Sequence, residues 1–176
     1  NTAAAADLTN CVLDCGHRRI AMIAGVSRGN DRAADRIKGV RQSLKARGLH
    51  LADTHLIEAP YNIEDAALAM EGLMRLQDRP TAVICGNDVL AAGALMQAKQ
   101  LGVAVPDDVS VVGFDDIDLA AVTDPPLTTM HVPHRRMGKA AADVLLAIRG
   151  GSDTATSIKF KPERVMRGSL AGPPAD

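Results

Sequence analysis

Short apolar runs alternate with amphipathic helical segments along most of this chain, and the connections between them are short and polar. Four of the runs have the length and composition of buried strands: residues 19–24, 54–58, 82–85 and 109–114. A helical pattern follows each of the first three, and right-handed crossovers are the default connection between parallel strands. The alternation therefore predicts a doubly wound α/β fold, with a parallel sheet covered by helices on both faces.

Five segments have helical periodicity, at residues 3–15, 33–47, 62–75, 88–101 and 135–149. Asn62 and Asp88 stand at the starts of two of them, where short polar side chains accept hydrogen bonds from unpaired backbone N–H groups. We therefore predict that both are N-caps. Shorter strands are predicted at residues 127–132, 157–161 and 164–168.

The composition suits one α/β core and excludes several other classes of protein. The 176 residues are 47% hydrophobic with a net charge of −1, and there is no Trp. No apolar run reaches membrane-spanning length, and residues 1–7 lack the basic start and apolar centre of a signal peptide. No basic patch suggests strong nucleic-acid binding. We expect a cytoplasmic domain that neither enters a membrane nor binds DNA by itself.

The three cysteines, Cys11, Cys15 and Cys85, are odd in number, which argues against a disulfide framework. Reduced, buried thiols agree with a cytoplasmic location. A metal site at Cys11, Cys15 and His17 is the alternative, but it needs a fourth ligand that the sequence does not suggest nearby. We therefore expect no metal and no cofactor.

Polar residues follow the predicted strands at the positions where open α/β sheets bind ligands. Asn30 and Arg32 lie in a glycine-containing polar loop after the first strand, Asn87 follows the third, and Asp115 comes directly after the fourth. The first loop lacks the Gly-Lys-Ser/Thr of a nucleoside-triphosphate site. Asp115 is the strongest candidate, because one carboxylate can accept hydrogen bonds from two neighbouring hydroxyls.

No catalytic arrangement emerges from the remaining polar residues. Asp116 and Asp118 are expected to be solvated or to structure their loop. His17, His131 and His134 are scattered near strand starts or the last helix, and no Gly-x-Ser-x-Gly elbow is present. The sequence therefore does not predict an enzyme.

Six short blocks follow one another along the chain: GHRRI at 16–20, RIKG at 36–39, GNDVLAAG at 86–93, GFDD at 113–116, DPPLTT at 124–129 and MGKAAADVLL at 137–146. In this order they closely resemble the lactose-repressor (LacI) family of bacterial transcription regulators. The resemblance covers nearly all of residues 2–170. It implies the C-terminal part of a type I periplasmic-binding-protein-like effector domain, without the helix-turn-helix and most of the N-terminal lobe.

The resemblance also implies a division of the chain. Residues 1–126 correspond to the C-terminal lobe, and 127–150 to a strand and helix that normally belong to the N-terminal lobe. Residues 151–170 correspond to closing strands of the C-terminal lobe, and 171–176 to a tail.

Arg36 and Tyr61 complete the candidate site by this resemblance. Family members place an arginine like Arg36 in the cleft, where it hydrogen-bonds sugar hydroxyls or a carboxylate; a solvated helix arginine is the alternative. An aromatic at Tyr61 commonly stacks on the effector, although a tyrosine there can equally plug the edge of the core. Arg32 departs from the small polar residue of many relatives, so it either favours an acidic effector or points to solvent.

The implied function is that of an effector-sensing domain for a small polar metabolite, sugar-like or anionic, which controls a DNA-binding head outside this chain. Family members usually dimerise, and apolar residues at 88–101 and 116–122 predict the corresponding contact: Leu90, Leu95, Met96, Ile117, Leu119 and Val122. A periplasmic sugar-binding protein of a transporter is the alternative with the same fold. An α/β enzyme is the third.

Overall fold

The computed structural model describes residues 1–151 and 157–175. The described helices are α1 (Thr2–Asp14), α2 (Asp31–Ala46), α3 (Ile63–Met74), α4 (Asp88–Gln100), α5 (Asp118–Val122) and α6 (His134–Arg149). The described strands are β1 (Ile20–Gly25), β2 (Leu56–Ala59), β3 (Ala82–Cys85), β4 (Ser110–Val112), β5 (Thr129–His131) and β6 (Glu163–Val165).

The first four strands form one parallel sheet in the order β2-β1-β3-β4, as predicted. Met22 of β1 lies opposite Leu56 on one side and Ile84 on the other. Strand β2 begins two residues later than expected, because Asp53–His55 form a 3₁₀ turn. All four strands point their carboxyl ends to the same edge of the sheet, which brings together loops that are far apart in sequence.

Helices cover both faces of the sheet and divide the core into two clusters. On one face α1 and α2 pack over side chains such as Met22, and on the other α3 and α4 pack over side chains such as Ile23. Alternate residues of a strand point to opposite faces, which is why β1 contributes to both clusters. This arrangement confirms the doubly wound fold.

A second, two-stranded sheet lies beside the end of β4. Isolated parallel bridges join Val112 to Thr128 and Asp115 to His131, and β5 then pairs antiparallel with β6. The strand predicted at 164–168 is therefore present at Glu163–Val165.

The strand predicted at 157–161 does not form. Its apolar side chains Ile158 and Phe160 line a groove of about 430 Å³ against α6 instead of joining a sheet. Pro162 lies two residues after Phe160 and has no N–H group to donate to a neighbouring strand. Residues 152–156 and 176, which fall in the predicted closing segment and tail, lie outside the described residues.

Helix α6 has sixteen residues and none of them is buried. Its apolar side chains Met137, Leu145, Leu146 and Ile148 are all exposed. The assignment of residues 127–150 to a second lobe stays a prediction. Neither α6 nor any other helix in the described ranges combines the length and apolar character needed to cross a bilayer.

Candidate ligand-binding site

A cavity of about 230 Å³ lies at the carboxyl edge of the parallel sheet. Its lining residues are Asn30, Arg32, Arg36, Tyr61, Asn87 and Asp115, the six that the sequence singled out. They come from the connections after β1, β2, β3 and β4, in the region where open α/β sheets bind ligands. The structure thus brings all six candidate residues together.

Arg36 is buried at the base of this cavity, so its interpretation as a solvated helix arginine is wrong. Its Nη2 donates to Asp115 Oδ1 at 2.9 Å, its Nη1 donates to the Gly86 carbonyl, and its Nε donates to Asn1 Oδ1 at 3.3 Å. The guanidinium also lies 3.9 Å from the centre of the Phe114 ring. These contacts compensate the burial of the charge, which would otherwise be costly.

Asp115 and Asp116 have backbone conformations that side chains other than glycine seldom adopt, with φ of 107° and 55°. The neighbouring strands hold this turn in place. Asp115 N donates to Met130 O, and the Asp116 carboxylate accepts from Arg167 Nη2 at 2.7 Å and interacts with His131 Nδ1 at 2.9 Å. Asp116 therefore structures the loop, one of the two roles predicted for it. Such strain concentrates at functional sites.

Asn30 and Asn87 each act as the N-cap of a helix while they line the cavity. Asn30 Oδ1 accepts from Ala33 N at 3.2 Å, and Asn87 Oδ1 accepts from Leu90 N at 2.9 Å. Each carbonyl oxygen thus already accepts from the backbone; the NH₂ group of Asn87 remains as a donor, whereas that of Asn30 also donates to the Tyr61 hydroxyl.

Asp88 is not the N-cap that the sequence predicts, because Asn87 takes that position. Instead the Asp88 carboxylate is buried behind the loop that carries Asp115 and Asp116. Its Oδ1 accepts from Thr129 Oγ1 at 2.6 Å, and its Oδ2 accepts from Ile117 N at 2.9 Å. It thereby ties α4 to β5 and to the loop that carries Asp115.

Burial raises the pKa of Asp88 from 3.8 to about 6. The hydrogen bonds from Thr129 and Ile117 oppose this change, while the negative charges of Asp115 and Asp116 add to it. Gly113 is the sequence signal for this role, because a glycine there leaves the space that the Asp88 carboxylate occupies.

Tyr61 forms the wall of the cavity at the β2 side. Its side chain is 42% exposed, and its ring lies over Gly25, where any side chain would overlap it. Its hydroxyl accepts from Asn30 Nδ2 at 3.4 Å. Tyr61 therefore borders the open cavity and does not plug the core. Arg32, in the first turn of α2, is exposed at the mouth, and its guanidinium pairs with no side chain in the part of the chain that the structure describes.

His17 of the alternative metal site is engaged elsewhere. His17 is buried, with Nδ1 hydrogen-bonded to Thr81 Oγ1 and Nε2 to the Ala171 carbonyl, both at 2.9 Å. Burial lowers its pKa. Within residues 1–151 and 157–175, no three His, Cys, Asp or Glu side chains are grouped to hold a metal ion.

Residues 10–170 match the family model of the periplasmic binding protein-like domain. The chain is 36% identical over 165 residues to the HTH-type transcriptional repressor PurR of Vibrio vulnificus, covering 92% of this chain and 48% of that protein. It is 37% identical over 175 residues to the HTH-type transcriptional repressor CytR of Escherichia coli K12, covering 99% and 51%. The chain belongs to the LacI family. Its fold is that of a periplasmic binding protein-like domain.

Solved structures of LacI-family regulators agree with this assignment. A LacI-type regulator from Bacillus cereus subsp. cytotoxis superposes with a TM-score of 0.89 at 29% identity, over 97% of this chain and 61% of that one. The complex of the regulator CelR with cellobiose superposes with a TM-score of 0.86 at 29% identity, over 96% and 51%. This LacI-family chain spans about half the length of the curated relatives it matches.

Proposed function

We propose that this chain is the sensing part of a cytoplasmic transcriptional repressor, which binds a small polar metabolite such as a sugar or sugar derivative. Binding would control a helix-turn-helix head outside these residues. The convergence of the six cavity residues supports the proposal most strongly. The curated relatives are named as HTH-type repressors, and one structural relative is a complex with cellobiose. These names favour a regulator over a transport protein or an enzyme.

The chemistry of the cavity suits a ring that bears hydroxyl groups. Asp115 Oδ1 is held by Arg36, which fixes the carboxylate and leaves Oδ2 to accept from a ligand hydroxyl. Three of the five N–H groups of Arg36 are used by the protein, so one on each terminal nitrogen is left for the ligand. The half-exposed ring of Tyr61 offers a flat apolar face on which a sugar ring can stack.

We propose that the other half of the effector domain covers α6 and supplies the opposite wall of the cleft. The division at residues 126/127, with 127–150 in the second lobe and 151–170 closing the first, follows from this proposal. Its support is the exposed apolar face of α6, which no described residue buries. A helix with such a face normally packs against a partner.

The proposed homodimer uses α4 and α5. Met96, Ile117 and Val122 are exposed, at 42%, 37% and 76%, and form the apolar surface available there. Leu90 and Leu95 were also predicted to lie in this contact, but both are buried in the core. They are therefore not part of the proposed dimer contact. An isologous two-fold contact is the commonest arrangement for such a surface.

Calorimetry on the full-length protein, with the ligand found in a thermal-shift screen of metabolites, tests the site. A ligand that binds only the folded state raises the melting temperature. Asp115→Asn keeps a residue that tolerates positive φ, and Tyr61→Leu removes only the ring and its hydroxyl. Each should weaken binding about ten- to hundred-fold, or roughly 1–3 kcal/mol, while exposed Arg41→Ala on α2 should not. Unchanged affinity in both folded variants would contradict the site assignment.

A gel-shift experiment tests the regulatory role. The full-length protein is bound to DNA from upstream of its own gene, with and without the same ligand. The proposal predicts specific binding whose affinity the ligand changes, because binding at one site shifts the equilibrium at the other. A protein that binds the ligand but shows no specific DNA binding would favour the transport-type alternative.

A further inference from the structure

The hydrogen-bonding groups that face the cavity are mostly donors. The side-chain oxygens of Asn30 and Asn87 are used by the first turns of α2 and α4, and Asp115 Oδ1 is used by Arg36. Asp115 Oδ2 is then the one carboxylate oxygen of the lining without a partner in the described part of the chain. Each of the other three oxygens already accepts one hydrogen bond from the protein, so the lining has fewer unengaged acceptors than donors.

The donors are more numerous. Arg36 retains two N–H groups, the Asn87 amide retains its NH₂ group, and Arg32 presents a whole guanidinium with five N–H groups. A neutral polyol carries a donor and an acceptor on every hydroxyl, so its hydroxyl hydrogens would find fewer unengaged partners here than its oxygens would. A phosphate or carboxylate group consists of acceptors and matches this lining better.

The charges lead to the same conclusion. Arg36 and Asp115 form an ion pair of 2.9 Å and compensate each other, so Arg32 is the remaining charge of the lining. The acidic neighbours Asp31 and Asp35 on α2 are not among the cavity-lining residues and form no described ion pair with Arg32. The amino ends of α2 and α4 also lie at this cavity, and helix amino ends add positive potential.

We propose that the effector is an anionic polyol, whose phosphate or carboxylate group is bound by Arg32 while a hydroxyl donates to Asp115. The inference rests on the proposed function and narrows its class of ligand. Arg32 determines specificity for the charge, and the Arg36–Asp115 pair recognises the polyol part. From the sequence, binding of an acidic effector was one of two roles for Arg32. The side-chain oxygens that already accept from the protein, and the charge of Arg36 that Asp115 compensates, favour this role over that of a solvent-facing arginine.

Matched neutral and anionic ligands test this inference in the full-length protein. Thermal shift and calorimetry compare glucose with glucose 6-phosphate and gluconate, and ribose with ribose 5-phosphate, all at constant ionic strength. Inorganic phosphate against chloride serves as a probe independent of the polyol. The comparison of glucose 6-phosphate with gluconate shows whether the bound anionic group is a phosphate or a carboxylate. Arg32→Ala and Arg32→Lys are compared with Arg41→Ala, an exposed arginine on the same helix.

The expected result is that an anionic member binds about tenfold or more tightly than its neutral partner, and that Arg32→Ala removes this preference. Arg32→Lys should keep part of it, because the charge remains without the planar fork. Arg41→Ala should change nothing.

Equal or tighter binding of the neutral partner overturns the inference and leaves the proposed function standing. The inference is also overturned if neither phosphate nor any anionic member stabilises the protein. It is likewise overturned if they stabilise Arg32→Ala as much as the unmodified protein. The proposed function itself fails separately, in the gel shift, if no bound ligand of either charge changes DNA binding.

Discussion

Gly113 and Asp88 pack against each other directly behind the loop that carries Asp115 and Asp116. A methyl group on Gly113 would overlap the Asp88 carboxylate and lie 2.7 Å from Leu127 Cδ2. Both neighbours are buried, and Asp88 is fixed by two hydrogen bonds, so neither can move away freely. We expect Gly113→Ala to lower the free energy of unfolding by about 1–3 kcal/mol, measured by urea denaturation.

Gly138→Ala is the matched control, because a Cβ at that position in α6 meets nothing within 4 Å. Alanine has a higher helix propensity than glycine, so this change should raise stability by about 0.5–1 kcal/mol. If both glycine variants are equally stable, the packing explanation for Gly113 is wrong.

Asp88 should make stability depend on pH. Its pKa is raised from 3.8 to about 6 in the folded protein, so the folded state holds this proton more tightly than the unfolded chain. The contribution is fully present below about pH 4 and is lost as the pH rises through about 6, with a total on the order of 1–3 kcal/mol. Urea denaturation at several pH values between these limits measures it.

Asp88→Asn should remove this pH dependence and still fold. The new amide can donate to Thr129 Oγ1, whose hydroxyl rotates to accept, while the remaining oxygen accepts from Ile117 N. Other carboxylates also titrate in this range, so the quantity to compare is the difference between the two proteins at each pH. A difference that does not change with pH would show that Asp88 has an ordinary pKa.

At the scale of elements, α6 differs from the other long helices. None of its sixteen residues is buried, whereas seven residues of α4 are. An isolated helix of this length is marginal in water, because most helical stability comes from packing of an apolar face. In the 176-residue chain, we expect α6 amides to exchange with solvent roughly tenfold or more faster than α4 amides, measured by hydrogen–deuterium exchange.

The same measurement on the full-length protein provides the comparison. If the other half of the domain covers α6, its amides should become protected while those of α4 change little. Equal protection of α6 and α4 in the 176-residue chain would contradict the prediction.

At the scale of the whole molecule, two apolar surfaces are available for self-association. One is formed by Met96 and Val122 on α4 and α5, and the other includes Leu145 on α6. We expect dimerisation of the full-length protein through the first, and a charge there would have to be desolvated on association. Val122→Glu or Met96→Glu should raise the dimer dissociation constant about tenfold or more in sedimentation equilibrium.

Leu145→Glu is the control, since Leu145 is 68% exposed but lies on the face that we assign to the other lobe. It should leave the dimer intact if it folds. If the unmodified full-length protein sediments as a monomer at high concentration, the proposed dimer is contradicted. If only Leu145→Glu dissociates the dimer, the dimer contact lies on α6.

Much of this architecture could be predicted from local pattern. The four parallel strands follow from short apolar runs that alternate with amphipathic helices, and four of the six cavity residues follow from their positions after those strands. Both inferences rest on periodicity and chain order, which are properties of the sequence itself. Arg36 and Tyr61 were added by the resemblance to the LacI family. The prediction failed where the deciding contact is distant. Residues 157–161 have a strand-like pattern, yet Ile158 and Phe160 line an open groove beside α6 and pair with no strand.

Local pattern and chain order therefore predict the fold class, the order of elements and the edge of the sheet at which the polar residues gather. The roles of those residues depend on contacts between distant parts of the chain. The tertiary structure buries Arg36 between Gly86, Asp115 and Phe114, uses the oxygens of Asn30 and Asn87 as helix caps, and buries Asp88 behind the loop. The reason is that each hydrogen bond or ion pair within the protein engages a donor, a lone pair or a charge that a ligand could otherwise use. Which groups are engaged depends on neighbours up to 79 residues away in the chain.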